Sequence, residues 1–159
     1  MTDELLYRVE DHTAFVTFNR PAARNAFTYD MYEALAAACA KVDADSAVKT
    51  MILAGAGDKA FAAGTDIAQF EQIAGADDVI AYEARIERVL QALERCRVPT
   101  IAAIAGACTG GGAMIAACCD LRIATADAVF GFPIARTLGN ALSLANHARL
   151  VALLGAARL

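Results

Sequence analysis

Apolar side chains recur along this chain in two rhythms. Short runs that alternate or stand unbroken predict strands at Leu6–Glu10, Ala14–Phe18, Val48–Ala54, Thr100–Ala105, Leu121–Ala124 and Ala128–Phe130. Longer stretches with helical spacing predict helices over Tyr29–Val42, from Asp77 to about Arg97, over Gly112–Cys119 and over Leu144–Leu154, with a shorter helical piece at Asp66–Ile73. The first two strands read as a hairpin with His12-Thr13 near its turn. Asn19-Arg20-Pro21 breaks the pattern, Thr28 is placed to cap the first helix, Pro99 ends the long one and Gly155 can close the last. Strands and helices in alternation, with continuously apolar strands, predict an α/β fold with a mainly parallel sheet covered by helices. No linker, low-complexity tract or convincing repeat divides residues 1–159, which read as a single domain.

Composition narrows the class. The chain has 159 residues and is 58% hydrophobic. Its mean hydropathy of +0.43 is high for a soluble protein. Much of that is alanine, and no apolar run reaches the roughly 20 residues of a spanning helix. Met1-Thr2-Asp3-Glu4 is acidic and lacks the basic-then-apolar order of a signal peptide, so a cytoplasmic protein without membrane association is expected. A net charge of −4 with both signs dispersed, and sparse Arg136, Arg149 and Arg158, gives no nucleic-acid face. The five cysteines (Cys39, Cys96, Cys108, Cys118, Cys119) form no CxxC and lie mostly in apolar segments, which predicts buried free thiols and no metal site.

Candidate chemistry begins with Gly110-Gly111-Gly112, which follows a strand-like run and opens a helix-like one. Glycines there bring bare backbone N–H groups to a ligand, and the helix dipole favours negative charge. A second such turn follows Thr50–Ala54, at Phe61-Ala62-Ala63-Gly64-Thr65-Asp66. Two such N-termini converging on one oxygen make an oxyanion hole.

These residues carry a family resemblance. Asn19-Arg20-Pro21-Ala22-Ala23-Arg24-Asn25-Ala26 resembles the early loop of the crotonase (enoyl-CoA hydratase/isomerase) superfamily. Leu53-Ala54-Gly55-Ala56-Gly57 with Ala60-Phe61-Ala62-Ala63-Gly64-Thr65-Asp66 resembles its first oxyanion-hole segment. Pro99–Gly106 with Gly110-Gly111-Gly112 resembles the second. Cys119-Asp120-Leu121-Arg122-Ile123-Ala124 and Phe130-Gly131-Phe132-Pro133 continue the order. The resemblance implies a crotonase-like (ClpP/crotonase) spiral of ββα units, with a C-terminal helical part that this length of chain lacks. It also implies assembly as a homotrimer or dimer of trimers. The implied ligand is an acyl-CoA thioester, with coenzyme A part of the substrate and no separate cofactor. Thr65 and Gly111 are implied as the backbone donors to the thioester oxygen. Arg24, Ala26, Ala63, Asp66 and Ile67 are implied along the CoA path, with Met114, Ile134 and Gly139 lining the acyl pocket. Arg24 can meet a nucleotide phosphate or stay solvated, and Asp66 can equally cap the helix that follows.

The departures bear on mechanism. Hydratases of this family use two glutamates, and the matching positions hold Met114 and Ile134. Neither side chain can take or deliver a proton, so hydration by the usual route is disfavoured. Ser143 falls near a position where relatives vary their catalytic residue. It reads either as a hydrogen-bonding group or weak nucleophile with His147 as its base, or as the cap of Leu144–Leu154. Asn140 can contact substrate or occupy a turn. Ser46 and Ser143 lie in no G-x-S-x-G elbow, and no Lys-Ser or Lys-Thr follows the glycine run, which argues against a serine hydrolase and a P-loop. Two expectations remain: an acyl-CoA enzyme whose chemistry needs mainly enolate stabilisation, or a non-catalytic acyl-CoA-binding member of the family.

Overall fold

The computed structural model describes residues 2–72, 75–133, 136, 139 and 141–158. Strands β1 (Leu5–Glu10) and β2 (Thr13–Phe18) lead to helix α1 (Tyr29–Ala44). From there the chain runs as strand, strand, helix: β3 (Thr50–Gly55), β4 (Ala60–Ala62) and α2 (Ala76–Glu94), then β5 (Thr100–Ile104), β6 (Ala107–Thr109) and α3 (Gly111–Cys118). β7 (Leu121–Ala124), β8 (Val129–Gly131) and α4 (Leu144–Leu154) follow. From β3 on, the first strand of each pair joins a five-stranded sheet in the order β1-β2-β3-β5-β7, and the second joins a three-stranded sheet in the order β4-β6-β8. Among the described strand ladders β1 and β2 pair antiparallel and the others parallel, with one isolated antiparallel bridge between Ala60 and Gly106. The first unit places both of its strands in the large sheet, and each later pair adds one strand to each sheet.

Local chemistry explains the boundaries. Asp11 and His12 both take positive φ, 47° and 64°, as a two-residue hairpin turn requires. His12 Nδ1 lies 2.9 Å from the Ala47 carbonyl, so this histidine fastens the turn to the start of the next unit. Thr28 caps α1, its hydroxyl accepting from the Met31 N–H at 3.3 Å. The short strands β4 and β6 lie in stretches the sequence pattern reads as glycine loops, because three residues are too few to show a period.

The parallel strands are not buried on both sides. Ala14, Val16, Phe18, Met51, Leu53, Ala102 and Ile104 form one fully covered face of the large sheet. The opposite face carries Phe15, Ile52 and Ile101 half-buried, and at the edge Leu121 and Ile123 are 56% and 65% exposed. The expected cover of the sheet is thus complete on one face among the described residues and partial on the other. Under the sheets, Phe18 packs edge-on against Phe27 and Phe61 at 4.7 and 5.1 Å, and Phe27 against Tyr32 at 4.8 Å. α4 is tied back by Arg149, whose guanidinium pairs with Glu87 at 2.6 Å and Glu94 at 2.8 Å.

The starts of β5 and β7 are locked by one carboxylate. Asp120 Oδ2 accepts from both the N–H and the hydroxyl of buried Thr100 at 2.8 Å, and Thr100 Oγ1 accepts in return from the Asp120 N–H at 3.0 Å. Asp120→Ala is expected to lower the unfolding free energy by about 1–3 kcal/mol, read from urea denaturation, because two buried donors lose their acceptor.

Candidate active site at the ends of β4 and β6

Parallel pairing of β4 with β6 (Ala60↔Ala107, Ala62↔Cys108) brings the segments leaving both strands to one edge. Thr109 Oγ1 donates to the Ala63 carbonyl at 3.1 Å and joins those segments directly. Gly110 holds φ 54° and ψ −123°, a backbone that only glycine adopts freely, and it turns the chain so that Gly111 opens α3. Within the described residues neither the Thr65 N–H nor the Gly111 N–H donates a hydrogen bond. They are neighbours: a Cβ built on Gly111 would lie 3.5 Å from the Thr65 nitrogen, and one built on Gly64 3.7 Å from the Gly111 nitrogen. Two adjacent half-buried N–H groups at a helix N-terminus attract an oxygen that carries or develops negative charge.

The early loop braces this edge. Asn25 is fully buried, and its amide donates to the carbonyls of Ala56 at 3.0 Å and Ala60 at 2.8 Å while its Oδ1 accepts from the Arg20 N–H. The Ala63 N–H donates to the Arg24 carbonyl at 3.0 Å, and Phe27 bonds on both sides of Thr65, to Gly64 and to Asp66. Arg20 reaches the Ala26 carbonyl at 2.6 Å and pairs with Asp66 at 2.9 Å and Glu4 at 3.1 Å. Asp66 also accepts from the Ala68 N–H at 3.1 Å, which caps the 3-10 turn at Ile67–Gln72. The Arg20 contact first, and then the Ala68 N–H, hold the Asp66 carboxyl below the usual range. Arg24 is exposed with φ 51°. Beside it opens a cleft of about 290 Å³ lined by Pro21, Arg24, Asn25, Gly57, Asp58 and Lys59 among others.

A chain of hydroxyls lies on the other side of Thr65. Its Oγ1 stands 2.8 Å from Tyr32 Oη and 3.1 Å from Tyr82 Oη. Burial, above all, raises both phenols. Glu83, next to Tyr82 on α2, is half-buried; burial first and Glu87 second raise its carboxyl.

The remaining expected residues fall as follows. Ala26 is half-buried, while Ile67 is 68% exposed. Met114 sits in the first turn of α3 and is 3% exposed, its N–H donating to the Gly110 carbonyl at 3.0 Å. Gly139 is exposed with φ 67°. Ile134 and Asn140 lie outside the described residues. Ser143 and His147 do not form a nucleophile–base pair. Ser143 Oγ accepts from the Asn146 N–H at 3.3 Å as the helix cap, and His147 Nδ1 lies against the carbonyls of Leu142 and Ser143. A serine at the first turn of a helix meets the free N–H groups of that turn before it meets a side chain one turn on. Arg20, Asn25, Tyr32, Lys59 and Tyr82 were not singled out from the sequence. Tyr32 and Tyr82 sit on apolar helical stripes that read as core, and only their hydroxyls set them apart.

Cys39, Cys108, Cys118 and Cys119 are buried and Cys96 is half-buried, all as free thiols; burial pushes Cys108, Cys118 and Cys119 up to about 12. Among the described residues no group of three or more His, Cys, Asp and Glu can hold a metal ion, and no helix is long and apolar enough to cross a membrane.

Two sheets that grow together by ββα units, with glycine-bounded turns at the ends of the second-sheet strands, define the crotonase class of α/β folds. A sequence profile of the enoyl-CoA hydratase/isomerase family matches residues 8–156, and the chain belongs to that family. It is 38% identical over 131 residues to the crotonyl-CoA hydratase of Syntrophomonas wolfei, covering 82% of this chain and 50% of that protein. To the short-chain-enoyl-CoA hydratase of Clostridium acetobutylicum it is 36% identical over 131 residues, again 82% and 50%. The crystal structure of an enoyl-CoA hydratase/carnithine racemase from Magnetospirillum magneticum superposes with a TM-score of 0.94 at 36% identity, over 99% of this chain and 59% of that one. The chain thus spans about half the length of the curated relatives it matches.

A carboxyl held low in the folded state adds stability that is full above its unfolded value and is lost as pH falls through the folded one. Asp66→Asn is therefore expected to be less stable than the parent at neutral pH, with the gap closing as the pH drops below about 4. Urea titrations across pH 2.5 to 7 (roughly the span over which a carboxylate titrates) check this; a pH-independent gap would refute the Arg20–Asp66 assignment.

Proposed function

We propose that this chain binds an acyl-CoA thioester and accepts its carbonyl oxygen between the N–H groups of Thr65 and Gly111. The single observation that carries the reading is that pair of adjacent backbone donors without acceptors at the N-terminus of α3. Membership of the enoyl-CoA hydratase/isomerase family supports it. Enolate charge develops on a thioester oxygen when the α-carbon loses a proton, and preorganised donors there typically contribute about 10²–10³ in rate each. The cations Arg24 and Lys59 line one cleft together with Asp58, and suit the phosphates of the nucleotide part.

The reaction follows from what the site lacks. Met114 is apolar and buried, and the sequence gives isoleucine at the second glutamate position, so neither supplies the acid–base pair for adding water. Chemistry that rests mainly on enolate stabilisation fits better: double-bond migration, decarboxylation or thioester cleavage. The same neutral surroundings suit a member that only binds acyl-CoA, and product analysis by mass spectrometry over a panel of acyl-CoAs separates the two. Assembly as a homotrimer belongs to the same proposal and rests on the family likeness alone.

The carbonyl assignment is best tested on the ligand, because any side chain placed at Gly111 also displaces Tyr32. Butyryl-CoA is expected to bind about tenfold or more tightly than S-butyl-CoA, which lacks the oxygen, by calorimetric titration. Equal affinities would overturn it. Arg24→Ala combined with Lys59→Ala is expected to weaken butyryl-CoA binding about tenfold at low salt and to flatten its salt dependence; an unchanged salt slope would place the phosphates elsewhere.

A further inference from the structure

We infer that Tyr32 is a positioning residue: its hydroxyl, bound to Thr65 Oγ1 and seated over Gly111, sets the spacing of the two N–H donors. This rests on the carbonyl-binding reading above and adds a side chain that the reading does not need.

The two donors belong to different elements. Thr65 lies on the segment leaving β4, and Gly111 on the first turn of α3. No backbone hydrogen bond among the described residues joins one to the other. Backbone pairing fixes the edge at which the two segments leave β4 and β6, and side chains set the remaining distance between Thr65 and Gly111. Thr109 Oγ1 on the Ala63 carbonyl is one tie, two residues short of Thr65. The other is Tyr32, which arrives from α1, fully buried, with its Oη 2.8 Å from Thr65 Oγ1. That same oxygen lies 2.4 Å from where a Gly111 Cβ would stand, and Thr65 Oγ1 lies 3.3 Å from that point. One phenol thus touches both donor-bearing segments.

Tyr82 completes the arrangement. Its Oη is 3.1 Å from Thr65 Oγ1, so α1 and α2 hold the same threonine hydroxyl from two sides. A hydroxyl has one proton and two lone pairs, and two of these three positions are taken by the tyrosines. The Thr65 side chain therefore fastens, and its backbone N–H is the group left for a ligand. Both phenols stay protonated at neutral pH because burial raises them, so the chain works as neutral hydrogen bonds with no charge of its own near the carbonyl. Oxyanion donors act within a few tenths of an ångström around 2.9 Å, and a misplacement of about 1 Å costs on the order of 100-fold in rate. A spacer at this place changes chemistry as well as stability.

The test is isotope-edited infrared spectroscopy of the 159-residue protein with butyryl-CoA labelled at its thioester carbonyl. Donors on the oxygen lower the carbonyl stretch relative to free butyryl-CoA. For Tyr32→Phe, which removes the hydroxyl and keeps the ring, the shift is expected to fall to about half or less, with Kd changed by less than about threefold. Thr65→Val should lose as much, and Thr65→Ser, which keeps the hydroxyl, should restore the parental shift. Should Tyr32→Phe not fold, Thr65→Val is compared with Tyr82→Phe, which leaves the Tyr32 bond in place: a shift lost in the first and kept in the second supports Tyr32, and a shift lost equally in both overturns its assignment. A parental shift in folded Tyr32→Phe, even with a lowered Tm, would reduce Tyr32 to a structural residue and overturn the inference alone. Saturable binding to the parent protein without any shift would overturn the carbonyl-binding reading and this inference with it.

Discussion

Everything at the candidate site depends on the parallel hydrogen bonding of two three-residue strands. β4 and β6 come from successive ββα units and bury four of their six side chains, and their pairing fixes the edge at which the chain emerges. Parallel strands point their carboxyl ends the same way, and the segments that carry Thr65 and Gly111 must therefore leave side by side. An antiparallel pair would have sent them to opposite edges. The large sheet supplies the frame for this pairing, because from β3 on each strand it gains is followed by one in the small sheet.

Short strands alone do not hold such an edge, and the surrounding polar groups show how it is held. Asn25 supplies donors to carbonyls on both sides of the tight loop before β4, in a place where an unpaired carbonyl would be costly. Arg20 gathers Glu4, Asp66 and a backbone carbonyl around one guanidinium. Behind them the phenylalanine cluster of Phe18, Phe27 and Phe61 fixes the loop against the core. Polar satisfaction and aromatic packing thus act on the same few residues, and the site edge is stiff before any ligand arrives.

Much of this was readable from the sequence, and the failures have physical causes. Leu121–Ala124 and Leu144–Leu154 are found where periodicity puts them, since each carries enough residues to show a face. The strands β4 and β6 were hidden by their brevity, and the half-open outer face of the large sheet by apolar residues that look the same covered or bare. Glycine-rich turns marked two stretches where bare backbone N–H groups can meet a ligand, and the family resemblance is what implies Thr65 and Gly111 within them. Tyr32 could not be found that way: on α1 it keeps the spacing of a core residue, and its hydroxyl matters only once Thr65 is brought in from a distant segment. Ser143 shows the converse, a residue with tempting chemistry that the nearest free N–H group claims as a cap.

The phenol oxygen over Gly111 also bears on how this chain can change through descent. While position 32 carries a hydroxyl, a methyl group at position 111 meets it at 2.4 Å. Drift at the glycine therefore calls for displacement or loss of the tyrosine oxygen, and either order of change passes through a site whose donors are disturbed. Two positions on different helices, far apart in sequence, are in this way tied into one epistatic pair.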